Sequence, residues 1–141
     1  MQRYRKPMES MDLIEGIRKA IDSEYSTIEC YENLARNAPI KIEKEQIMEI
    51  RQDEINHFHT FSQIYASLTR QQPKPKIFEE CPDKYRKGTR AAFVDEQETA
   101  NFYLDIADNA RSPYIKDIFR RASEDEQNHA VWFLSFLTLR A

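Results

Sequence analysis

Two stretches, Asp53-Glu54-Ile55-Asn56-His57 and Asp125-Glu126-Gln127-Asn128-His129, repeat the pattern Asp-Glu-x-Asn-His at a distance of 72 residues. Each places a glutamate and a histidine three positions apart, and in a helix that spacing turns both side chains to the same side. The likeness extends outward from these stretches. Shifting the chain against itself by 72 aligns Arg18–Leu68 with Arg90–Arg140 without a gap, and 14 of the 51 pairs are identical. Glu24 falls on Glu96, Tyr31 on Tyr103, Asn37-Ala38 on Asn109-Ala110 and Phe61 on Phe133. Most of the identities are polar, which a shared apolar core would not require, so the repeat marks a duplication that kept more than packing.

Each half reads as two helices. Ile14, Ile17, Ile21, Glu24, Ile28, Tyr31 and Ala35 recur at spacings of three and four and predict a helix from about Ser10 to Asn37, closed by Pro39. Ile47, Ile50, Glu54, His57, Phe61, Ile64 and Leu68 form the stripe of a second helix that runs to about Arg70 and stops at Gln71–Pro75. From Lys74 to about Gly88 the prolines and glycine predict a crossover connection. A third helix from near Thr89 presents Phe93, Glu96, Ala100, Tyr103, Ala107 and Ala110. Ser112-Pro113 is an N-cap followed by a first-turn proline, and the helix it opens carries Ile115, Phe119, Ala122, Glu126, His129, Phe133 and Phe136. Two short turns and one long connection predict an all-α fold, an antiparallel four-helix bundle of two duplicated helix pairs. The expected organisation is a single domain over residues 1–141, with the pairs about a pseudo-twofold axis.

Composition agrees and narrows the function. With two glycines in 141 residues the chain lacks the turns of a sandwich or barrel. The 21 basic and 24 acidic residues leave a formal charge of −3 and no basic block, so no nucleic-acid partner is expected. Met1–Pro7 is basic without a following apolar region, and no run of about 18 apolar residues occurs; the expectation is a soluble cytoplasmic protein with no membrane contact. Cys30, on the flank of the first helix, and Cys81, in the crossover, read as ordinary thiols, too few for a disulfide framework or a cysteine metal site. No Gly-rich phosphate loop and no nucleophile–base–orienter set is present.

The informative residues are Glu24, Glu54, His57, Glu96, Glu126 and His129, all of which fall in the apolar stripes. A carboxylate in a bundle core costs several kcal/mol unless paired or bound to a cation, and no Lys or Arg shares these stripes. Two divalent cations would neutralise four carboxylates and leave both imidazoles in the neutral, ligating form. Carboxylate and imidazole donors suit iron or manganese. Asp53 and Asp125 precede their glutamates; either they accept the free ring N–H of the histidine on the other motif helix, or they lie on a solvated face. Tyr31 and Tyr103, two turns from Glu24 and Glu96, are either core residues or donors to a ligating carboxylate. His59 faces away from the stripe, runs such as Glu43-Lys44-Glu45 read as solvated faces, and Phe58, Tyr65, Phe102 and Trp132 flank the stripes, where they widen the core or line a homodimer contact.

A glutamate on each of two helices and Glu-x-x-His on each of the other two resembles the ferritin-like dinuclear carboxylate proteins. The chain is most similar to their rubrerythrin and bacterioferritin branch, over about Ser10 to Arg140. The resemblance implies Glu54 and Glu126 as bridging ligands, Glu24 and Glu96 as terminal ligands, and two iron ions, or manganese or a mixed pair, as cofactor. The chain departs from that pattern in lacking the four-cysteine rubredoxin-like segment, in having Thr99 where rubrerythrins carry a further glutamate, and in having Ile55 where bacterioferritins carry a haem-binding methionine. Two functions follow as expectations. The first is a redox enzyme, a ferroxidase or an O2- or H2O2-reducing oxidoreductase, that takes ferrous iron and oxidant as substrates, cycles between diferrous and bridged diferric states and draws on an unidentified electron donor. The second is a buffer or delivery protein that binds iron or manganese without turnover.

Overall fold

The computed structural model describes residues 10–139; the basic stretch at residues 1–7 and Arg140, which closes the second repeat, lie outside the described residues. The described residues form four helices, α1 (Ser10–Arg36), α2 (Lys41–Thr69), α3 (Tyr85–Asn109) and α4 (Pro113–Thr138). α1 packs on α2 and α3 on α4 as the two duplicated hairpins, and the hairpins meet through α1 with α3 and α2 with α4. All neighbours are antiparallel. His57 reaches Asp125 while Asp53 reaches His129, so α2 and α4 run in opposite directions. Tyr31 likewise meets Glu96 while Tyr103 lies by Glu24, so α1 opposes α3. α2 and α3 therefore lie across the diagonal pointing the same way, and residues 70–84 must travel the length of the bundle, about 40 Å.

The helix ends follow from local chemistry. Ser112 accepts a hydrogen bond from the Ile115 N–H at 3.3 Å, with Pro113 at the first helical position. α2 ends where Arg70 takes a left-handed conformation (φ 61°) and its N–H bonds the Ala66 carbonyl. α3 begins at Tyr85, four residues before Thr89, and takes in Gly88, which donates its N–H to the Lys84 carbonyl in the first turn. Leu34 packs closely over Gly88: a Cβ at this position would lie 2.8 Å from Leu34 Cδ1, so a larger residue would have to displace the leucine methyl.

The crossover corrects the reading of the cysteines. It runs along one face of α1, where the Lys76 N–H bonds Asp22 Oδ1 (3.0 Å), the Phe78 N–H bonds Ser26 Oγ (3.2 Å), and Cys81 is joined to Cys30 by a disulfide with Cα atoms 5.2 Å apart. Asp22, Ser26 and Cys30 are four residues apart, so one stripe of α1 takes all three ties. The 51-residue separation hid the pairing, because nothing periodic in the crossover fixes its path.

The core has two apolar layers. Ile17, Ile21, Phe61, Tyr103, Ile106 and Phe119 fill one, and Tyr31, Leu34, Ile47, Ile50, Phe133 and Phe136 the other. Phe58, Tyr65 and Phe102 pack partly buried on the first layer, whereas Trp132 is 38% exposed. Ile14 and Leu68, expected in the stripes, are exposed, since both lie at the open end of the bundle where α1 starts and α2 stops. Glu43, expected on a solvated face, is buried and accepts a hydrogen bond from the Tyr85 hydroxyl at 2.6 Å. Among the described residues no helix is long and apolar enough to cross a membrane.

Candidate metal centre

Between the two apolar layers lies a polar band. Glu24, Glu54, Glu96, Glu126 and His129 are each 1–2% exposed and His57 is 9% exposed. Their donor atoms form two clusters. Glu24, Glu54, His57 and Glu126 offer atoms within 4.8 Å of one another, and so do Glu54, Glu96, Glu126 and His129. Glu54 and Glu126 belong to both clusters; Glu24 and Glu96 belong to one each.

Both imidazoles turn Nδ1 inward. His57 Nδ1 lies 2.7 Å from Glu24 Oε2, 3.2 Å from Glu54 Oε1 and 3.3 Å from Glu126 Oε1. His129 Nδ1 lies 3.3 Å from Glu96 Oε2 and 3.6 Å from both Glu54 Oε1 and Glu126 Oε1. Nε2 points outward in each case, to Asp125 Oδ2 from His57 and to Asp53 Oδ2 from His129, both at 2.8 Å. Each histidine is thus held by the aspartate of the other motif, which leaves Nδ1 as the inward-facing donor when the ring is neutral. His59 is exposed, away from both clusters.

The tyrosines act across the bundle. Seven residues along a helix is about 10.5 Å, too far for Tyr31 to reach Glu24, and the Tyr31 hydroxyl instead donates to Glu96 Oε1 on α3 at 2.7 Å. The Tyr103 hydroxyl is buried in the mirror position beside Glu24. Burial, followed by the neighbouring glutamate charges, pushes both phenols well above their usual range.

Charge does not balance within these residues alone. Burial, reinforced by mutual repulsion, pushes Glu54, Glu96 and Glu126 above the ordinary carboxylate range, Glu126 most clearly. Burial also raises Glu24, against the hydrogen bond from His57. The imidazoles move up as well. Burial opposes protonation of His129, yet Glu96, Glu54 and Asp53 hold it up at about 10. His57 is raised against burial by Asp125, Glu24 and Glu54. With both rings protonated, four ionised carboxylates would still leave two negative charges, which a metal-free core must neutralise by protonating carboxyls. Glu24 Oε1, Glu54 Oε1 and Glu126 Oε1 are moreover buried with no hydrogen-bond partner, an arrangement that costs roughly 1–3 kcal/mol per polar atom in a sealed core. Two divalent cations remove both defects, and oxygen and imidazole donors are those that iron and manganese accept. The residues fit a pair of such ions.

Beside the centre is a feature that the stripes did not signal. A cavity of about 340 Å³ lies between α1, the crossover and α3, with Thr27, Cys30, Tyr31, Cys81, Ala92 and Asp95 in its wall. Burial and the adjacent Glu79 carboxylate push Asp95 up to about 7.

A family model described as Rubrerythrin matches residues 89–140, most of α3 and all of α4. The uncharacterized protein YhjR of Bacillus subtilis (strain 168) is 49% identical over 128 residues, 91% of this chain and 88% of that protein. Among solved structures, a hypothetical protein from Pyrococcus furiosus superimposes with a TM-score of 0.77 at 23% identity, covering 96% of each chain. A conserved hypothetical protein from Mycobacterium tuberculosis gives a TM-score of 0.81 at 13% identity, over 92% of this chain and 99% of that one. At these identities the two structures establish the fold alone.

Proposed function

This chain and YhjR belong to one family, rubrerythrin-like in sequence and ferritin-like in fold, and on that premise we propose that the protein is a dinuclear iron protein working as a redox enzyme, a ferroxidase or a reductase of O2 or H2O2. The observation that carries the reading is that Glu54 and Glu126 take part in both donor clusters, as two carboxylates bridging two ions would. Glu24 with His57 would complete one position and Glu96 with His129 the other. A bound iron pair would supply two one-electron changes at adjacent positions.

The rest of the arrangement serves those positions. Asp125 and Asp53 fix the rings of His57 and His129, and the Tyr31 hydroxyl holds Glu96 in place. The layers around Phe61 and Phe133 keep bulk water from the carboxylates, which strengthens their grip on a cation. Manganese fits the same donors, so the metal is assigned by the reaction.

The test is anaerobic loading with ferrous iron followed by O2 or H2O2. The expected result is one oxidant molecule consumed per two ferrous ions, with the absorption of a diferric pair, and the faster oxidant is the substrate. A loaded protein that stays colourless and consumes nothing would overturn the redox reading. Steady consumption through many cycles with a reductant separates an enzyme from a buffer that binds and releases its metal.

A further inference from the structure

The function proposed above leaves the Cys30–Cys81 disulfide and the cavity beside it without a role. We propose that this disulfide is a second redox site, the inlet through which an external dithiol delivers two electrons to the metal centre; the proposal rests on the redox reading of that centre.

Four observations converge on it. Cys30 and Cys81 are both half-buried and both line the cavity, whose rim includes the exposed Glu79 and Glu80. Tyr31 follows Cys30 directly, lines the same cavity, and donates its hydroxyl to Glu96 Oε1 at 2.7 Å. From the disulfide to a carboxylate of the centre the path is one backbone step, one aromatic ring and one hydrogen bond. The duplication supplies a control: Phe102 and Tyr103 stand where Cys30 and Tyr31 do. Tyr103 is fully buried, enclosed by Phe61 and Phe119 with ring centroids at 5.2 and 5.6 Å, so the centre is sealed at one end and reaches a disulfide-lined cavity at the other. Finally, the electron counts agree. A disulfide takes two electrons, and two metal ions take one each.

The step balances without another reactant. A thiolate of the external dithiol attacks one cysteine sulfur, the Sγ–Sγ bond breaks, and the donor's second thiol closes its own disulfide and departs, leaving two thiols on the chain. Those thiols then re-form the Cys30–Cys81 bond, release two protons, and pass two electrons to the two ferric ions. In a reducing compartment a disulfide persists mainly as a catalytic or redox-sensing bond.

The first test uses the metal-free full chain in graded mixtures of reduced and oxidised dithiothreitol, with thiols trapped by maleimide and counted by mass. Two thiols per chain, appearing without denaturant and lost again on reoxidation, are expected. A bond that resists until the chain unfolds is a structural staple, and the proposal fails whatever the metal does. The second test mixes diferric protein with dithiothreitol and follows the loss of its absorption. The Cys30→Ser/Cys81→Ser variant should bleach about ten-fold or more slower than the parent, while dithionite bleaches both alike, which reports an intact centre. Equal rates with dithiothreitol would overturn the inlet. A reversible disulfide in a chain that never forms a diferric centre would overturn the proposed function, and the inlet with it.

Discussion

Replacing Asp125 with alanine should weaken one metal position and spare the other. His57 is held from outside by a single contact, Nε2 to Asp125 Oδ2 at 2.8 Å, while its Nδ1 faces Glu24, Glu54 and Glu126. Without that acceptor the neutral ring is free to carry its proton on Nδ1, the atom that must ligate. Loss of such an outer partner costs about 10–100-fold in metal affinity, or about 1.4–2.7 kcal/mol. The fold should be affected little, because the Asp125 side chain is 39% exposed and water can replace it at Nε2. His129 keeps Asp53, so its position should bind as before. Anaerobic calorimetric titration with ferrous or manganous ion reads both positions at once: two ions in the parent, and one normal plus one weakened in Asp125→Ala. Asp53→Ala should weaken the opposite position, and Asp125→Asn, which keeps a neutral acceptor, should fall between Asp125→Ala and the parent. Unchanged affinities in both alanine variants would refute the role given to the aspartates and, with it, Nδ1 ligation.

Further outcomes follow from the same geometry. Glu54→Gln should abolish binding at both positions yet raise the thermal midpoint of the metal-free chain, since burial and the Glu24 charge already disfavour its ionised form; a gain of ~1 kcal/mol is roughly 3–5 °C in a chain of this size, read by thermal melts in chelator and in manganous ion. Stability should respond to pH in opposite senses with and without metal. Glu24, Glu54, Glu96 and Glu126 are raised above 4.5 in the metal-free fold and His129 is raised from 6.5 to about 10. The stabilisation from such groups is complete below the unfolded values and is lost as pH rises through the folded ones, so chelated protein should melt progressively lower from about pH 4.5 toward 10. Metal-loaded protein should instead weaken as pH falls and protons displace the ions, and melting curves that run parallel would contradict this. Phe61→Ala, which empties a fully buried site stacked on Phe119 at 4.4 Å and beside the His57 ring, should cost about 3–5 kcal/mol in urea unfolding.

The sequence made the helices and the convergence of the six polar residues legible, because both depend on helical period. Glu54 and His57 share a face by spacing, Ser112-Pro113 marks a helix start by local chemistry, and the 72-residue repeat says that whatever one hairpin presents the other presents too. The same symmetry means that if Asp125 holds His57 then Asp53 holds His129, but that the aspartates reach the rings rather than face solvent comes from the structure. What escaped was set by aperiodic chain or by the register between hairpins. The disulfide depends on the path of residues 70–84, which no repeat constrains. The reach of Tyr31 to Glu96 depends on how α1 slides against α3. Gly88 read as the end of the crossover, whereas it lies inside the first turn of α3, close against Leu34.

The central claim is that two metal ions share Glu54 and Glu126. Crystals grown from iron-loaded protein and measured at the iron absorption edge test it most directly. The account predicts two anomalous peaks per chain within the polar band, one against Glu24 and His57, the other against Glu96 and His129, with Glu54 and Glu126 touching both. A single peak, or peaks only outside the band, would contradict it.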